Sequence, residues 1–241
     1  MALIQLDIIG STNTYAASVA DTLGHGDIVR AIAQTAGRGQ RGNSWEAEPG
    51  KNLTFSLMLR PEGVEAASQF LISEAVALGV ARVLQRHLPD REITVKWPND
   101  IYAGNRKICG ILIENVINGR MLVRSIAGIG INVNQREFLS DAPNPVSMYQ
   151  LAGAEFDLRT ILEQTVAEIL SLLTLPAETL QREYAATLWR REGMHPYIDR
   201  TRSNARFEAQ IAGVAPSGHL TLTDSDGLDR TFAFKEVEFV I

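Results

Sequence analysis

The chain has 241 residues, of which 45% are hydrophobic and 21% are charged. This length suffices for one well-packed core and leaves room for a small appended domain. No apolar run approaches the roughly 18 residues that a membrane helix needs, and the N-terminus lacks the basic start and cleavage site of a signal peptide. Cys109 is the single cysteine, so an internal disulfide is excluded. We therefore expect a globular cytoplasmic protein that does not bind membranes.

The formal net charge of -5 argues against general nucleic-acid binding, because such binding depends mainly on an excess of Lys and Arg. Basic residues nevertheless cluster within this acidic chain. The cluster consists of Arg38, Arg41, Lys96, Arg106 and Lys107. Solvated surface charge is the plainer interpretation, but if these residues bind an anion, we expect it to be small and held at one site.

The first half of the chain alternates between patterns that are typical of strands and of helices. Alternating apolar residues predict strands at 3–9, 28–34 and 53–59. A helix is predicted from a cap at Ser11 or Thr12 to about residue 22, and a second at 66–87 from its helical apolar spacing. Residues 35–51 form a long glycine-rich loop between two of the strands.

The middle of the chain predicts further strands and two more helices. Strands are expected at 93–97, 108–116, 121–126 and 128–133, with a hairpin turn at Asn118-Gly119. Asp157 is a suitable cap for a helix over 158–173, and Pro176 opens another that runs to about 190.

The pattern changes near Arg191, where we place a domain boundary between residues 1–190 and 191–241. Short strands are predicted at 206–214, 219–223, 231–234 and 237–241. Turns such as Pro216-Ser217-Gly218 separate them, which is typical of a small all-β barrel.

Three segments carry residues suited to chemistry, and the first is Gln34-Thr35-Ala36-Gly37-Arg38-Gly39-Gln40-Arg41-Gly42-Asn43-Ser44-Trp45. Its glycines allow backbone N–H groups to approach an anion, and its two arginines supply positive charge. The spacing differs from the phosphate loop that ends in Gly-Lys-Ser/Thr and from the Gly-x-Gly-x-x-Gly dinucleotide turn. We interpret this segment as an anion-binding loop rather than as a merely flexible surface loop.

The second segment is Lys96-Trp97-Pro98-Asn99-Asp100, followed by a strand that begins at Lys107 and passes Gly110. Proline fixes the turn after a strand, and a glycine leaves bare backbone against which a ligand can lie. This arrangement would let the lysine and the aspartate face one pocket. An ordinary turn and an ordinary bulge are the alternative interpretations.

The third segment is Gly128-Ile129-Gly130-Ile131-Asn132-Val133-Asn134. Glycine at every second position leaves one face of a strand without side chains, and Asn132 on that face is able to bond a polar edge. Either a closely packed ligand or a neighbouring helix would fit such a face.

Together, in this order and spacing, the three segments resemble the biotin-protein ligases, and the similarity runs from Ser11-Thr12-Asn13 to the C-terminal barrel. The resemblance implies an α+β fold, with a mixed β-sheet flanked by helices as in class II aminoacyl-tRNA synthetases, and a small C-terminal SH3-like barrel. It also implies the reaction: ATP activates biotin to biotinyl-AMP with release of pyrophosphate, and biotin is then transferred to one lysine of a carboxylase carrier domain.

The resemblance implies a role for each matching residue of this chain. The residues implied to bind biotin are Ser11, Thr12, Asn13, Gln34, Gly37, Arg38, Gly39, Gln40, Lys107 and Gly110. Those implied to bind ATP or the adenylate are Arg38, Arg41, Trp45, Lys96 and Asn132. Lys107, Arg38 and Asp100 are implied in catalysis, and Mg²⁺ is expected to arrive with ATP, without a site made by the protein alone.

Two positions depart from the family pattern. Gln40 stands where many members have the second arginine of Gly-Arg-Gly-Arg-Arg-Gly, a position associated with retention of the intermediate. Phe234-Lys235-Glu236-Val237 lacks the glycine that is common near the last turn of the barrel.

Other functions remain as alternatives. A lipoate ligase or octanoyl transferase would have the same fold, but the chain lacks an Arg-Arg-x-Ser-Gly-Gly-Gly stretch, and Cys109 lies in an apolar strand that suits a buried core residue. Transcriptional repression is not expected, because Ser11 lies too close to the start for a DNA-binding domain. A homodimer is possible, and the four histidines show no metal-ligand spacing.

Overall fold

A mixed seven-stranded sheet forms the frame of the protein. The computed structural model describes residues 1–40, 43–140 and 143–241. Within them the sheet has the order β1-β2-β3-β7-β6-β5-β4. Its strands are β1 (Leu3–Ile9), β2 (Ile28–Gln34), β3 (Leu53–Leu59), β4 (Ile93–Lys96), β5 (Asp100–Ala103), β6 (Arg106–Asn118) and β7 (Met121–Ile131).

Strands β1 and β2 run parallel, and the other neighbours in this sheet pair antiparallel. Every residue of β3 is buried, because this strand lies between β2 and β7 and is covered on both faces. Such two-sided burial explains its nearly continuous apolar sequence, which contains Phe55 and Leu57.

Five α-helices flank the sheet in the described residues: α1 (Thr12–Ser18), α2 (Phe70–His87), α3 (Met148–Ala152), α4 (Leu158–Leu172) and α5 (Ala177–Ala186). Helix α2 approaches α4 closely at Gly79, where a Cβ would lie 2.6 Å from Ile169 Cγ1. The Asp157 carboxylate accepts a 2.7 Å hydrogen bond from Thr160 N, so it caps α4 as predicted.

The C-terminal region forms a separate five-stranded antiparallel sheet of order β11-β10-β9-β8-β12. Its strands are β8 (His195–Asp199), β9 (Ala205–Val214), β10 (Leu220–Asp224), β11 (Asp229–Phe232) and β12 (Val237–Phe239). Trp97 Nε1 donates to Gly218 O at 3.0 Å, and the rings of Trp189 and Phe239 lie 5.8 Å apart. The two sheets therefore share part of one hydrophobic core.

The α+β prediction is confirmed, with differences at the level of single elements. Helix α1 ends at Ser18, and a short 3-10 turn (Ala20–Thr22) replaces its predicted last part. Helix α2 begins at Phe70 after a similar turn (Ala66–Ser68), and α5 ends at Ala186. Strands β5 and β8 and helix α3 were not predicted, because they are short and β8 contains a proline.

The turn before β12 contains Lys235 with φ of 72°, in the left-handed region that favours glycine. Lys235 belongs to the stretch near which the resemblance implies a glycine, and it adopts a backbone conformation that glycine adopts more readily.

The stretch Ala66–His87 is long and apolar enough, by length and composition, to cross a membrane, but 67% of its most apolar part is buried inside the protein. This burial fits the core helix seen here, since α2 packs against the sheet and two other helices.

Candidate functional site

A cavity of about 940 Å³ lies on one face of the first sheet and collects most of the residues singled out from the sequence. From the three predicted segments and the start of α1, it is lined by Ser11, Thr12, Asn13, Gln34, Arg38, Gly39, Gln40, Trp45, Lys96, Asp100, Lys107, Gly110 and Asn132. Gly37 is not among the residues that line the cavity. It packs against the backbone of Trp45, since a Cβ added at Gly37 would lie 2.7 Å from the carbonyl oxygen of Trp45. Arg41 lies outside the described residues.

The floor of the cavity is a pair of glycines on adjacent strands. Gly110 of β6 and Gly130 of β7 are register partners. A Cβ at these positions would lie 2.8 Å from Trp45 Cζ3 and 2.4 Å from Trp45 Cε2 respectively. Only glycine therefore lets the indole of Trp45 lie directly on the sheet. In the part of the chain that is described, the buried Trp45 Nε1 has no hydrogen-bond partner.

The start of α1 forms one wall through hydrogen bonds to neighbouring strands. Gln34 Oε1 accepts from Thr12 N at 2.8 Å, which joins the helix to the end of β2. Asn13 Nδ2 donates to Glu114 Oε2 at 2.8 Å, and Asn13 Oδ1 accepts from Ser56 Oγ at 2.6 Å. These contacts fix the orientation of the Asn13 amide.

Gly128 is what lets the helix approach this wall. A Cβ there would lie 2.4 Å from Asn13 Oδ1. Of the two neighbours that the sequence suggested, a helix lies at Gly128, whereas the ring of Trp45, which was not predicted there, lies at Gly130.

Arg38 is held by a carboxylate that the sequence analysis did not single out. Arg38 Nη2 lies 2.9 Å from Glu114 Oε1, so Glu114 contacts both the arginine and Asn13. Ser56 was also missed. A charged residue within the apolar run of β6 was the only available signal for Glu114, and its partners lie 76 and 101 residues away in sequence.

Lys107 and Asp100 meet as the second segment predicted. Lys107 Nζ lies 2.7 Å from Asp100 Oδ1 and 5.7 Å from the centroid of the Trp45 ring. Asp100 opens β5 after the turn that contains the cis Trp97–Pro98 bond. The ammonium group of Lys107 thus lies between a carboxylate and the aromatic ring on the cavity floor.

Lys96 lies deeper, where the two sheets meet. Its Nζ is 5.6 Å from the ring centroid of Tyr102 and 5.1 Å from that of Phe239. Burial lowers the pKa of Lys96, while the nearby Asp100 carboxylate opposes that shift. A cation that has lost much of its hydration gains more from an anionic ligand than an exposed one does.

The side-chain amide of Asn132 uses its nitrogen, but not its oxygen, in hydrogen bonds to the described residues. Asn132 Nδ2 donates to Val146 O at 3.1 Å, whereas its buried Oδ1 accepts no hydrogen bond from any described residue. Such an oxygen is available to a ligand N–H group, for example an exocyclic amine.

Gln40 lies where the main cavity meets a smaller one of about 240 Å³. The buried Gln40 Oε1 likewise has no partner within the described ranges. The position that departs from the family pattern is therefore neutral and polar, and it faces the ligand space.

Cys109 is fully buried beside the cavity floor, and burial raises the pKa of its thiol. A thiol in such surroundings is a poor nucleophile, since the thiolate is the reactive form. Among the described residues, no group of three or more His, Cys, Asp or Glu side chains is arranged to hold a metal ion.

Comparison with known proteins identifies relatives along most of the chain. It is 33% identical over 196 residues to the bifunctional ligase/repressor BirA of Escherichia coli, which covers 81% of this chain and 56% of that protein. It is 38% identical over 124 residues to the biotin--[acetyl-CoA-carboxylase] ligase of Paracoccus denitrificans, covering 51% of each. The chain therefore spans a little over half the length of the E. coli relative.

The fold also matches solved structures. The biotin protein ligase from Aquifex aeolicus, in complex with biotin and ATP, superposes with a TM-score of 0.81 at 22% identity and covers 99% of both chains. The model of the biotin/lipoate A/B protein ligase family matches residues 6–132. This region contains the first two segments in full and the third except for Val133 and Asn134. Because this match covers more than half of its 241 residues, the chain belongs to the biotin/lipoate A/B protein ligase family.

Proposed function

We propose that this protein is a biotin-protein ligase, which forms biotinyl-5'-AMP from biotin and ATP and then transfers biotin to a lysine of a carrier domain. One observation carries the proposal: the cavity is lined by Arg38 and Lys107, and Lys107 Nζ lies 5.7 Å from the ring of Trp45, which lies on the paired glycines Gly110 and Gly130. A flat apolar floor next to two cations suits an activated acyl nucleotide, whose negative charge is confined to its phosphate. Relatives named as biotin ligases support this choice.

We assign the biotin end of the cavity to the wall at the start of α1. Ser11, Thr12, Asn13 and Gln34 supply the hydroxyl and amide groups that a cyclic urea needs, since its carbonyl accepts and its two N–H groups donate. Gly37, Gly39 and Gln40 belong to the loop that covers the bound acid. The nucleotide end is assigned to Trp45, Lys96 and Asn132, where the free Oδ1 of the asparagine can accept from an adenine amine.

In the first step, the biotin carboxylate attacks the α-phosphorus and pyrophosphate leaves. Two anions must approach each other, and Arg38 and Lys107 neutralise the charge that develops there. Each cation lies beside a carboxylate, Arg38 beside Glu114 and Lys107 beside Asp100. The two carboxylates therefore help to orient the cations at the cavity.

Mg²⁺ fits this scheme as a companion of ATP. The described cavity offers single carboxylates, with Asp100 next to Lys107, instead of a cluster of three ligands. Mg²⁺ commonly binds one or two carboxylates together with substrate phosphates and waters. When bound, it would add positive charge at the triphosphate.

In the second step, the carrier lysine amine attacks the acyl carbon, an amide forms, and AMP leaves. The ammonium form of this lysine, with a usual pKa of about 10.4, must lose a proton first. We assign Asp100 to orienting the amine or receiving its proton, since it opens β5 at the cavity and already binds an ammonium group, that of Lys107.

A lipoate or octanoate activity is the second candidate, because the family description names lipoate as well as biotin ligases. A cysteine-based transferase is disfavoured by the buried, fully enclosed thiol of Cys109. We also propose residues 191–241 as a distinct C-terminal SH3-like domain and expect no operator DNA binding.

The test of transfer is an intact-mass measurement. A biotin carboxyl carrier domain of acetyl-CoA carboxylase is incubated with this protein, biotin and ATP. We expect a mass gain of one biotin at one lysine, and no gain in a carrier whose target lysine is replaced by arginine. A carrier that stays unmodified while ATP and biotin are in excess would contradict the proposal.

A further inference from the structure

The carboxylate of Glu46 joins two loops that are about 90 residues apart in sequence. Glu46 directly follows Trp45 in the glycine-rich loop. Its Oε1 accepts from Leu139 N at 2.8 Å, and its Oε2 accepts from Ser140 N at 2.9 Å. Gln135 Nε2 adds a third contact at 3.3 Å. One side chain therefore ties the loop that carries Trp45 to the segment after β7.

The junction extends beyond this single group. The side chain of Gln135 is only 2% exposed, accepts from Glu48 N at 3.1 Å and donates to Glu137 O at 2.7 Å. Asn134 N donates to Lys51 O at 2.8 Å. The two loops are thus joined by backbone and buried side-chain contacts, with Glu46 at the end nearest the cavity.

The loop after β7 contributes to the cavity wall on the side of Asn132. Phe138, Ser140, Pro143, Asn144 and Pro145 line the cavity there, and we call these residues the nucleotide-side wall. The Glu46 carboxylate accepts a hydrogen bond from the backbone of Ser140, a member of this wall, and the neighbouring Trp45 lies on the cavity floor. Its position therefore couples the wall to the floor.

The protonation state of Glu46 suits this role. Burial by itself raises the pKa of its carboxyl, but the hydrogen bonds from Leu139, Ser140 and Gln135 outweigh burial and lower that pKa. The group is consequently ionised at neutral pH, and both oxygens remain acceptors.

We propose that Glu46 is a positioning residue for ATP, which holds the nucleotide-side wall against Trp45 through the backbone N–H groups of Leu139 and Ser140. This inference rests on the proposed ligase function and adds a residue to which no role had been given. It predicts an effect on nucleotide affinity with little effect on biotin, because the hydrogen bonds of the Glu46 carboxylate in the described residues go to Gln135, Leu139 and Ser140 and not to the wall of Ser11, Thr12 and Gln34.

The test uses Glu46→Ala and Glu46→Gln in the full-length protein. Loss of hydrogen bonds from a charged acceptor should raise KM for ATP about tenfold in Glu46→Ala. Glutamine has the same size as glutamate but only one acceptor oxygen, and its NH₂ group would face one of the two N–H donors. KM for ATP should therefore rise in Glu46→Gln as well. KM for biotin should stay unchanged, and kcat should fall by less than about threefold.

Glu48→Gln is the matched control, since it makes the same charge change on an exposed side chain two residues along the same loop. Hydrogen exchange of the Leu139 and Ser140 amides, measured without ligands, should accelerate in both Glu46 variants and not in the control. This second measurement does not depend on catalysis.

Three outcomes would overturn the proposal: unchanged KM for ATP in both Glu46 variants, full activity in Glu46→Gln, or a fall in KM for ATP. The last would show that the carboxylate instead occupies a phosphate site made by the two N–H groups. If the unaltered protein shows no biotin-dependent ATP turnover, the ligase function fails, whereas the exchange experiment still tests the junction.

Discussion

Arg38 and Lys107, the two cations proposed to act at the cavity, each have a carboxylate partner. Lys107 lies 2.7 Å from Asp100, and Arg38 lies 2.9 Å from Glu114. All four side chains are partly exposed, so each pair on its own contributes little to stability. We propose that the two pairs instead keep the cations oriented towards the cavity.

Replacing Lys107 with alanine should strongly reduce adenylate formation. The variant removes one of two cations proposed to neutralise the reacting anions, for which we expect a loss of about 100-fold or more. Biotin-dependent exchange of pyrophosphate into ATP measures this step without a carrier. Arg106→Ala, at the adjacent exposed residue, is the control and should retain activity. Near-normal exchange in Lys107→Ala would remove this lysine from the site.

Single residues of the site were predictable where they form short-range motifs. The glycines, arginines and lysines of the three segments are recognisable because each motif is local in sequence. Glu114, Ser56 and Glu46 were not, since their partners are set by strand register and loop contacts over 43 to 101 residues. No local pattern encodes such contacts.

At the scale of elements, the two long antiparallel strands β6 and β7 build the cavity floor. Their register places Gly110 opposite Gly130 and leaves room for an indole. The long strands and helices were predicted from apolar periodicity, and the cap at Asp157 from its residue type. The short elements β5, β8 and α3 hold too few residues for periodicity to show, and tertiary contacts determine them.

Gly130→Ala should damage nucleotide use without unfolding the sheet. The new Cβ would lie 2.4 Å from Trp45 Cε2, so the indole must move off the floor. We expect adenylate formation to fall by about tenfold or more, because misplacement of a binding group by one ångström is costly.

Gly213→Ala in β9 is the control, as nothing lies within 4 Å of its added Cβ. Unaltered steady-state kinetics for ATP in Gly130→Ala would show that contact between the floor and Trp45 is not needed for nucleotide binding.

At the scale of the whole molecule, the two sheets and helices α2, α4 and α5 share one core that contains a buried carboxyl. Glu74 of α2 is 1% exposed, and its Oε2 has no partner in the described residues. Burial raises the pKa of Glu74 to about 8. The native protein therefore retains this proton in a pH range where the unfolded chain has lost it.

The sign of the resulting pH dependence is fixed. Between the usual glutamate pKa of 4.5 and about 8, only the native state holds the proton, so this group lowers stability as pH rises and adds no further change above about 8. The slope is at most ~1.4 kcal/mol per pH unit.

Glu74→Gln should remove the pH-dependent loss of stability that Glu74 causes. The unfolding free energy of the variant should therefore exceed that of the unaltered protein at pH 8, and the difference should be much smaller at pH 5. Urea unfolding at both pH values measures the difference. Glu62→Gln, at an exposed residue, is the control. An equal change in unfolding free energy at both pH values would show that Glu74 does not titrate in this range.

The central claim is that the cavity forms biotinyl-AMP, and the identity of the adenylate tests it most directly. The protein is incubated with ATP and an equimolar mixture of biotin, lipoate and octanoate, and the acyl-adenylates formed are identified by mass spectrometry. We expect biotinyl-AMP as the dominant product, together with pyrophosphate. Lipoyl-AMP or octanoyl-AMP in its place would contradict the account.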